Sequence, residues 1–279
     1  AIVAALAAKL TGRPAKLIYD RDDDFILTGK RHDFQISYKV GFEDNGLINS
    51  VIVDQAMRCG MSWDLSEAIA ARAMCHAENS YFIKNMRITS HRLKTNTQSN
   101  TAFRGFGGPQ GIVGMERVID HVAHHLNVDP LLVRERNFYP HKTSATHGIT
   151  PYGQTVHDCI IQDIISELKK TSDYADRRKD IEKFNKNSEF LKRGISLTPV
   201  KFGISFNASF LNQAGALLHV YNDGSVYLNH GGTEMGQGLN TKIAQIVANE
   251  FQLPLDAIKI TATSTGKVPN TSATAASSG

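Results

Sequence analysis

The sequence predicts an α+β fold in two subdomains, and three observations carry that expectation. Alternating runs at Phe34–Phe42 and Leu47–Gln55 flank Asp44-Asn45-Gly46, a hairpin signal. A second signal, Asn222-Asp223-Gly224, separates Ala214–Tyr221 from Ser225–His230. Helical stripes stand beside these hairpins, which points to helices packed on hairpin-paired strands and not to a doubly wound sheet.

Taken in order, Ala1–Leu10 reads as a helix stopped by Thr11-Gly12-Arg13-Pro14, and Ala15–Tyr19 as a strand. Asp20–Asp24 (DRDDD) lacks calcium-loop spacing and reads as a solvated turn. After the first hairpin, Leu65–His76 has helical spacing, and Met86–Leu93 reads as a strand. Pro109 suits the first turn of a helix with the apolar stripe Ile112, Met115, Ile119, Val122 and Leu126. Leu131–Asn137, Val156–Lys170 and the highly charged Tyr174–Asn187 follow as helical segments. Beyond them Gly194–Phe206, Ala214–Tyr221, Ser225–His230 and Ala257–Thr261 read as strands, with a helix at Leu239–Phe251. The expected organisation is a first subdomain over 1–171, a charged helical linker over 172–193 and a second subdomain over 194–279. Each half carries a hairpin and, later, a glycine-rich turn opening a helix.

Composition narrows the function classes. No apolar run approaches the roughly 20 residues of a membrane span. The net charge of +4 is scattered among acids, whereas a nucleic-acid binder concentrates cations on one face. Cys59, Cys75 and Cys159 lie far apart, which excludes a self-contained zinc or iron–sulfur site of cysteines and any disulfide framework. A reduced, cytoplasmic setting follows. The apolar start lacks a basic leader and the end lacks a natural terminus, so the chain reads as a piece of something longer.

The richest local signal is Asn100–Gly111, NTAFRGFGGPQG, with one arginine and two aromatics among its glycines. A glycine turn opening a helix can aim backbone N–H groups at an anion. A second such turn is Gly231–Gly238, GGTEMGQG. Neither is a nucleotide fingerprint, because Gln110 stands where the third glycine is required and no Lys-Ser/Thr pair follows. The spacing alone leaves two readings open, tight structural turns or ligand loops. His121 and His125 share a helix face at i, i+4, but the glutamate of a zinc helix is missing, so an exposed face is expected. No serine–histidine–aspartate arrangement follows from residue order. Arg72 reads as snorkelling from its helix, and Phe206 as a core residue.

Several unusual motifs in order then resemble one family. They are NTAFRGFGGPQG, VKFGISF (Val200–Phe206), FLNQAG (Phe210–Gly215), His219–Tyr221 with Asp223-Gly224-Ser225, HGGTEMGQG (His230–Gly238) and TGKVPNTSATAAS (Thr265–Ser277). Together they resemble the molybdopterin-binding part of the molybdenum hydroxylases, in their xanthine dehydrogenase branch, over the whole of 1–279. That resemblance implies a molybdenum–molybdopterin centre at which oxygen from water enters an electrophilic ring carbon of hypoxanthine or xanthine. It implies electrons leaving through Fe–S clusters and FAD on other domains to NAD or oxygen, in a homodimer of the full enzyme.

By position, the resemblance implies that Arg104 and Ala276 line the molybdenum through backbone, that Ala275 binds the cofactor, and that Gln237 hydrogen-bonds the pterin. Phe106 resembles the ring that stacks face-on with the purine, and Phe206 the ring set edge-on to it. Arg72 resembles the arginine that holds the purine's oxygen and stabilises charge in the transition state. Aldehyde oxidases usually lack an arginine there, which makes an aldehyde oxidase-like hydroxylase the alternative. Asn207 stands where a threonine is common, and keeps a hydrogen-bonding group. The family's general-base glutamate and a second substrate carboxylate have no counterpart within 1–279. Losing a general base costs roughly 10²–10⁴-fold, so the 279-residue polypeptide by itself is expected to be inactive. A folding or assembly module is then the reading of another class.

Overall fold

In the computed structural model, residues 2–204, 207, 209–261, 266–268 and 271–275 are described. Strands β1 (Phe34–Phe42) and β2 (Ile48–Gly60) pair antiparallel through the Asp44-Asn45-Gly46 turn, Val40 standing opposite Val51. Helix α1 (Ile2–Thr11) precedes them and buries none of its residues. The Ala15–Tyr19 strand does not form: Leu17, Ile18 and Tyr19 are exposed, and among the described residues no strand pairs with them. The acidic run expected as a turn is instead a helix, α2 (Arg21–Leu27). The Asp20 carboxylate accepts the Asp23 N–H at 2.8 Å, which caps its N-terminus.

Helix α3 (Ser66–Cys75) crosses over to β3 (Asn85–Lys94), which pairs parallel to β2, giving the order β1-β2-β3. Helix α4 (Gly108–Leu126) then lays Met115, Val118, Ile119 and Val122 on this sheet, where they meet Val51 and Val53. Each such side chain contributes about 1.5–3 kcal/mol by burial. Helix α5 (Pro130–Asn137) is capped by Asp129, whose carboxylate accepts the Leu131 N–H at 2.9 Å. Buried Asn137 ties it to the hairpin, accepting from Ile48 N–H and donating to the Gly46 carbonyl, both at 2.9 Å.

A short pair, β4 (Gly148–Ile149) and β5 (Thr155–Val156), takes the first residue of the expected Val156–Lys170 helix. Helix α6 accordingly spans Ile161–Thr171. Helix α7 (Tyr174–Asn187) is no linker. Tyr174 is buried in the first core, and Arg178 Nε pairs with Asp129 at 3.1 Å. The expected strand from Gly194 does not form over 194–204, because Leu197 and Ile195 turn into the same core. The first compact unit therefore runs to Phe202, and a second begins at Gly203.

In the second unit β6 (Ala216–Val220) and β7 (Val226–His230) pair antiparallel around Asn222-Asp223-Gly224, where Gly224 supplies a φ of +81°. Helix α8 (Leu239–Phe251) crosses over to β8 (Ile258–Ile260), parallel to β7. Val226, Leu228, Ala244, Val247 and Ile258 make its core. Both units thus share one plan: a hairpin, a helix, then a strand parallel to the second. The plan re-pairs the glycine loops. Gly231–Gly238 lies between β7 and α8 and so matches the β2–α3 connection, whereas the Arg104 loop follows β3.

Candidate functional site

The loop between β3 and α4 is pinned at its base before the glycines begin. Asn100, 1% exposed, donates its backbone N–H to the Cys59 carbonyl and its side-chain Nδ2 to the Arg58 carbonyl, each at 2.9 Å. Thr101 N–H reaches the Lys30 carbonyl at 3.0 Å. Above this base, Gly105, Phe106 and Gly107 take φ values of +92°, +51° and +97°. Glycine accepts that region freely, but a bulky aromatic there is strained. Phe106 stays in it with its ring against Met57, Cys59, Ile69 and Ala70.

The glycine loop does not leave a row of amides for an anion. Phe106, Gly108 and Gly111 N–H groups donate to the carbonyls of Phe103, Gly105 and Gly107 at 2.8, 2.9 and 3.2 Å. What the glycines allow is close approach. A Cβ on Gly107 would lie 2.1 Å from the Ile69 carbonyl oxygen, and one on Gly111 2.3 Å from that of Ala73. These residues at i, i+4 let α4 rest on the backbone of α3, so Arg72 on α3 is set beside the loop.

Arg72 does not snorkel to water: it is buried, 4% exposed, in the last turn of α3. Burial lowers its pKa, with Cys75 opposing, and the group remains a cation. Its guanidinium carbon lies 5.4 Å from the Phe202 ring centroid. The His76 ring donates Nδ1–H to the Arg72 carbonyl at 2.8 Å, and burial holds that imidazole neutral by lowering its pKa. Burial likewise raises the Cys75 pKa, which leaves a protonated thiol.

Arg31 braces the loop from below, a residue the motif reading did not single out. It donates Nη2–H to the Arg104 carbonyl at 2.6 Å and stacks on the Phe103 ring at 4.2 Å. Its Nη1 is buried with no hydrogen-bond partner, 3.9 Å from where a Cβ on Gly105 would sit. The Arg104 side chain itself is exposed. No sequence signal joins Arg31 to a loop 73 residues later.

The second unit gathers another set of predicted residues. Thr233 N–H donates to Thr274 Oγ1 at 2.8 Å, and Ser272 N–H to the Gln213 carbonyl at 3.1 Å. Segments from FLNQAG, HGGTEMGQG and SATAAS therefore converge, with exposed Ala275 next to Thr274. Gln237 is exposed; its Oε1 accepts from Met235 N–H at 2.6 Å and its Nε2 donates to the Thr233 carbonyl at 2.9 Å. One amide hydrogen and one lone pair of Gln237 remain for a ligand. Glu234 was also missed. Its carboxylate takes the N–H groups of Gly236, Gly238 and Asn240 at 2.8, 3.1 and 3.1 Å, filling the anion position at the start of α8. Those bonds hold its pKa below the usual range, Asn240 first. Asn207 is exposed, and Phe206 and Ala276 lie outside the described residues.

His121 and His125 lie on an exposed face of α4, as expected. His121 meets the Tyr38 hydroxyl with the two rings tilted at 5.7 Å, and His125 sets an edge on Phe42 at 5.5 Å. Among the described residues no three histidine, cysteine or carboxylate side chains gather as a metal site, and no helix is long and apolar enough to cross a membrane.

Two family models, each described as a molybdopterin cofactor-binding domain, match residues 1–138 and 167–279. The chain is 45% identical over 277 residues to xanthine dehydrogenase 1 of Arabidopsis thaliana. It is 48% identical over 275 residues to a xanthine dehydrogenase/oxidase of Gallus gallus. Each match covers 99% of this chain and 20% of the relative, so the chain spans about a fifth of their length. Among solved structures, quinoline 2-oxidoreductase from Pseudomonas putida superposes with a TM-score of 0.82 at 22% identity, covering 100% of this chain and 36% of that one. The aldehyde oxidoreductase from Desulfovibrio desulfuricans gives 0.80 at 23%, covering 99% and 29%. Those two likenesses show the fold.

Proposed function

The chain belongs to the molybdopterin cofactor-binding domain family, and from that premise we propose that it is the molybdopterin- and purine-facing part of a xanthine dehydrogenase. The reaction is oxidation of hypoxanthine and xanthine to urate. Each turnover converts a ring C–H to C–OH with oxygen from water and releases two protons and two electrons. The electrons pass to Fe–S clusters and FAD on other domains, then to NAD or oxygen, in a cytoplasmic homodimer. The near-uniform identity of 45–48% to xanthine dehydrogenases over the whole chain supports this reading.

The residues present fit such a cofactor. Buried Arg31 Nη1 is a leftover donor at the base of the Arg104 loop, which suits an oxygen-bearing group. Gln237 keeps amide capacity on an exposed loop. When bound, the molybdenum–molybdopterin group supplies the oxygen insertion and the two-electron oxidation. Arg104 and Ala276 would line the metal through backbone, Ala275 would bind the cofactor, and Gln237 would hold the pterin. The two matched stretches, 1–138 and 167–279, are the two molybdopterin-binding subdomains, and the second begins within the first compact unit, which runs to Phe202. Phe106 would be the platform for the purine face, Phe206 the ring set edge-on to the purine, and Asn207 a polar contact to it. Arg72 binds the ring oxygen and stabilises negative charge there in the transition state.

The observation that carries the purine assignment is a buried cation, Arg72, on the helix against which the strained Phe106 ring packs. An aldehyde has no ring oxygen for such a cation, which disfavours the aldehyde oxidase-like alternative. In the full-length protein, Arg72→Met lowers xanthine turnover by about 10²–10³-fold, the cost of one lost oxyanion donor, and leaves the molybdenum content intact. Unchanged purine kinetics in that variant reject the reading.

A further inference from the structure

Phe202 is held from several sides, and the grip on it runs through residues that no motif assigned. Asn79, at a φ of +49°, donates Nδ2–H to the Pro199 carbonyl at 3.0 Å and accepts the Lys201 N–H on Oδ1 at 3.1 Å. The Lys201 ammonium pairs with the Glu78 carboxylate, which is fully buried. Residues 199–201 are thereby strapped across the end of α3, and the strap delivers the next side chain, Phe202. Its ring lies 4.8 Å from the His76 ring at 46°, 5.4 Å from the Arg72 guanidinium, and against Gly108, where a Cβ would come within 2.5 Å of it. A guanidinium on an unbranched stem has many rotamers, and an aromatic face beside it removes the ones that swing away.

We propose that Phe202 is the positioning residue for Arg72, and that the Glu78–Lys201 pair with Asn79 is the latch that sets Phe202 there. The proposal rests on the reading of Arg72 as the purine-oxygen ligand. Phe202 touches no substrate; it acts by holding the cation where the ring oxygen arrives. The strap contributes main-chain and ion-pair bonds that fix its height on α3, and glycine at 108 gives the ring its seat. A misaimed cation is costly, because about 1 Å of misplacement can cost up to 10²-fold in rate.

The test uses the full-length, molybdenum-loaded protein and single-turnover oxidation of xanthine. Phe202→Leu lowers kcat/KM roughly 2–30-fold, the range of one cation–π contact from exposed to desolvated, at unchanged molybdenum content. Phe202→Tyr, which keeps the aromatic face, restores the wild-type value. In an Arg72→Met background the Phe202→Leu step costs less than about 2-fold, because nothing is left to position. Lys201→Met gives the same pattern with a smaller loss, and serves if Phe202→Leu does not load molybdenum. Equal losses from Phe202→Leu in both backgrounds overturn the proposal, as does wild-type kcat/KM in Phe202→Leu when Arg72→Met is inactive. Wild-type kcat/KM in Arg72→Met instead rejects the reading of Arg72 itself.

Discussion

The close approach of α3 and α4 makes a sharp prediction through two glycines of the same helix. At Gly111 an added Cβ would stand 2.3 Å from the Ala73 carbonyl oxygen, against a floor of 3.0 Å for real Cβ contacts, a shortfall of about 0.7 Å. The obstacle is backbone, so a whole helix must yield. At Gly114 the nearest atom is the Ile36 Cδ1, at 2.9 Å, the free tip of a flexible side chain. Alanine gains about 0.8–1.0 kcal/mol of helix propensity at either site. That gain cancels when the two variants are compared. What remains is overpacking at Gly111, about 1–3 kcal/mol. For a unit of this size 1 kcal/mol moves Tm by about 2–4 °C. Gly114→Ala therefore melts roughly 2–12 °C above Gly111→Ala in a circular-dichroism scan. Equal midpoints, within the roughly 0.5 kcal/mol scatter of uneventful substitutions, refute close approach as the reason for Gly111. If α3 presents Arg72 to a purine as proposed, Gly111→Ala also slows xanthine turnover in the full-length protein.

Two further outcomes follow from single side chains. Arg134, 2% exposed, bonds the part-buried Glu116 at 2.8 Å and the half-exposed Asp120 at 2.9 Å; Arg134→Ala destabilises the first unit by about 1–3 kcal/mol, the cost of leaving the Glu116 carboxylate without its charged partner, and a denaturant midpoint near wild type would disprove it. The Glu234 carboxyl, held below the usual range by loop amides, stabilises the start of α8 above the ordinary carboxylate pKa and releases it as pH falls through the lowered one. A carbon-13 titration places the Glu234 midpoint below that of a free glutamate, and a midpoint in the ordinary range would remove the cap.

Local patterns account for much of what the sequence revealed. The two Asp-Asn-Gly or Asn-Asp-Gly turns, the stripe of α4 and the Leu239–Phe251 helix depend on spacing within a few residues, and each stands where it was expected. Ala15–Tyr19 was misread because β-propensity without a partner strand forms nothing. The acidic run became α2 because Asp20 caps it and the acids of its first turn face the positive end of the helix dipole. Tyr174–Asn187 looked like a linker because of its charge, but one buried tyrosine and the Arg178–Asp129 pair bind it to the first core. Glu234 could have been found as an acid placed to cap a following helix. Arg31 and Phe202 could not, since their partners are distant in sequence.

By itself the sequence determined the α+β class, the hairpins and the family, because turn chemistry, periodicity and ordered motifs are local properties of a chain. It also named Arg72, Arg104, Phe106 and Gln237 by resemblance. Only the tertiary structure decided what the glycines of Asn100–Gly111 are for. Read locally they offered amides to an anion, yet those amides bond within the turn, and Gly107 and Gly111 exist to admit the carbonyls of α3. Which backbone comes within 2.1 Å of a missing Cβ depends on packing between elements 38 residues apart, Ile69 and Gly107. The same packing buries Arg72 and sets Phe202 over it, and no spacing rule along the chain encodes that encounter.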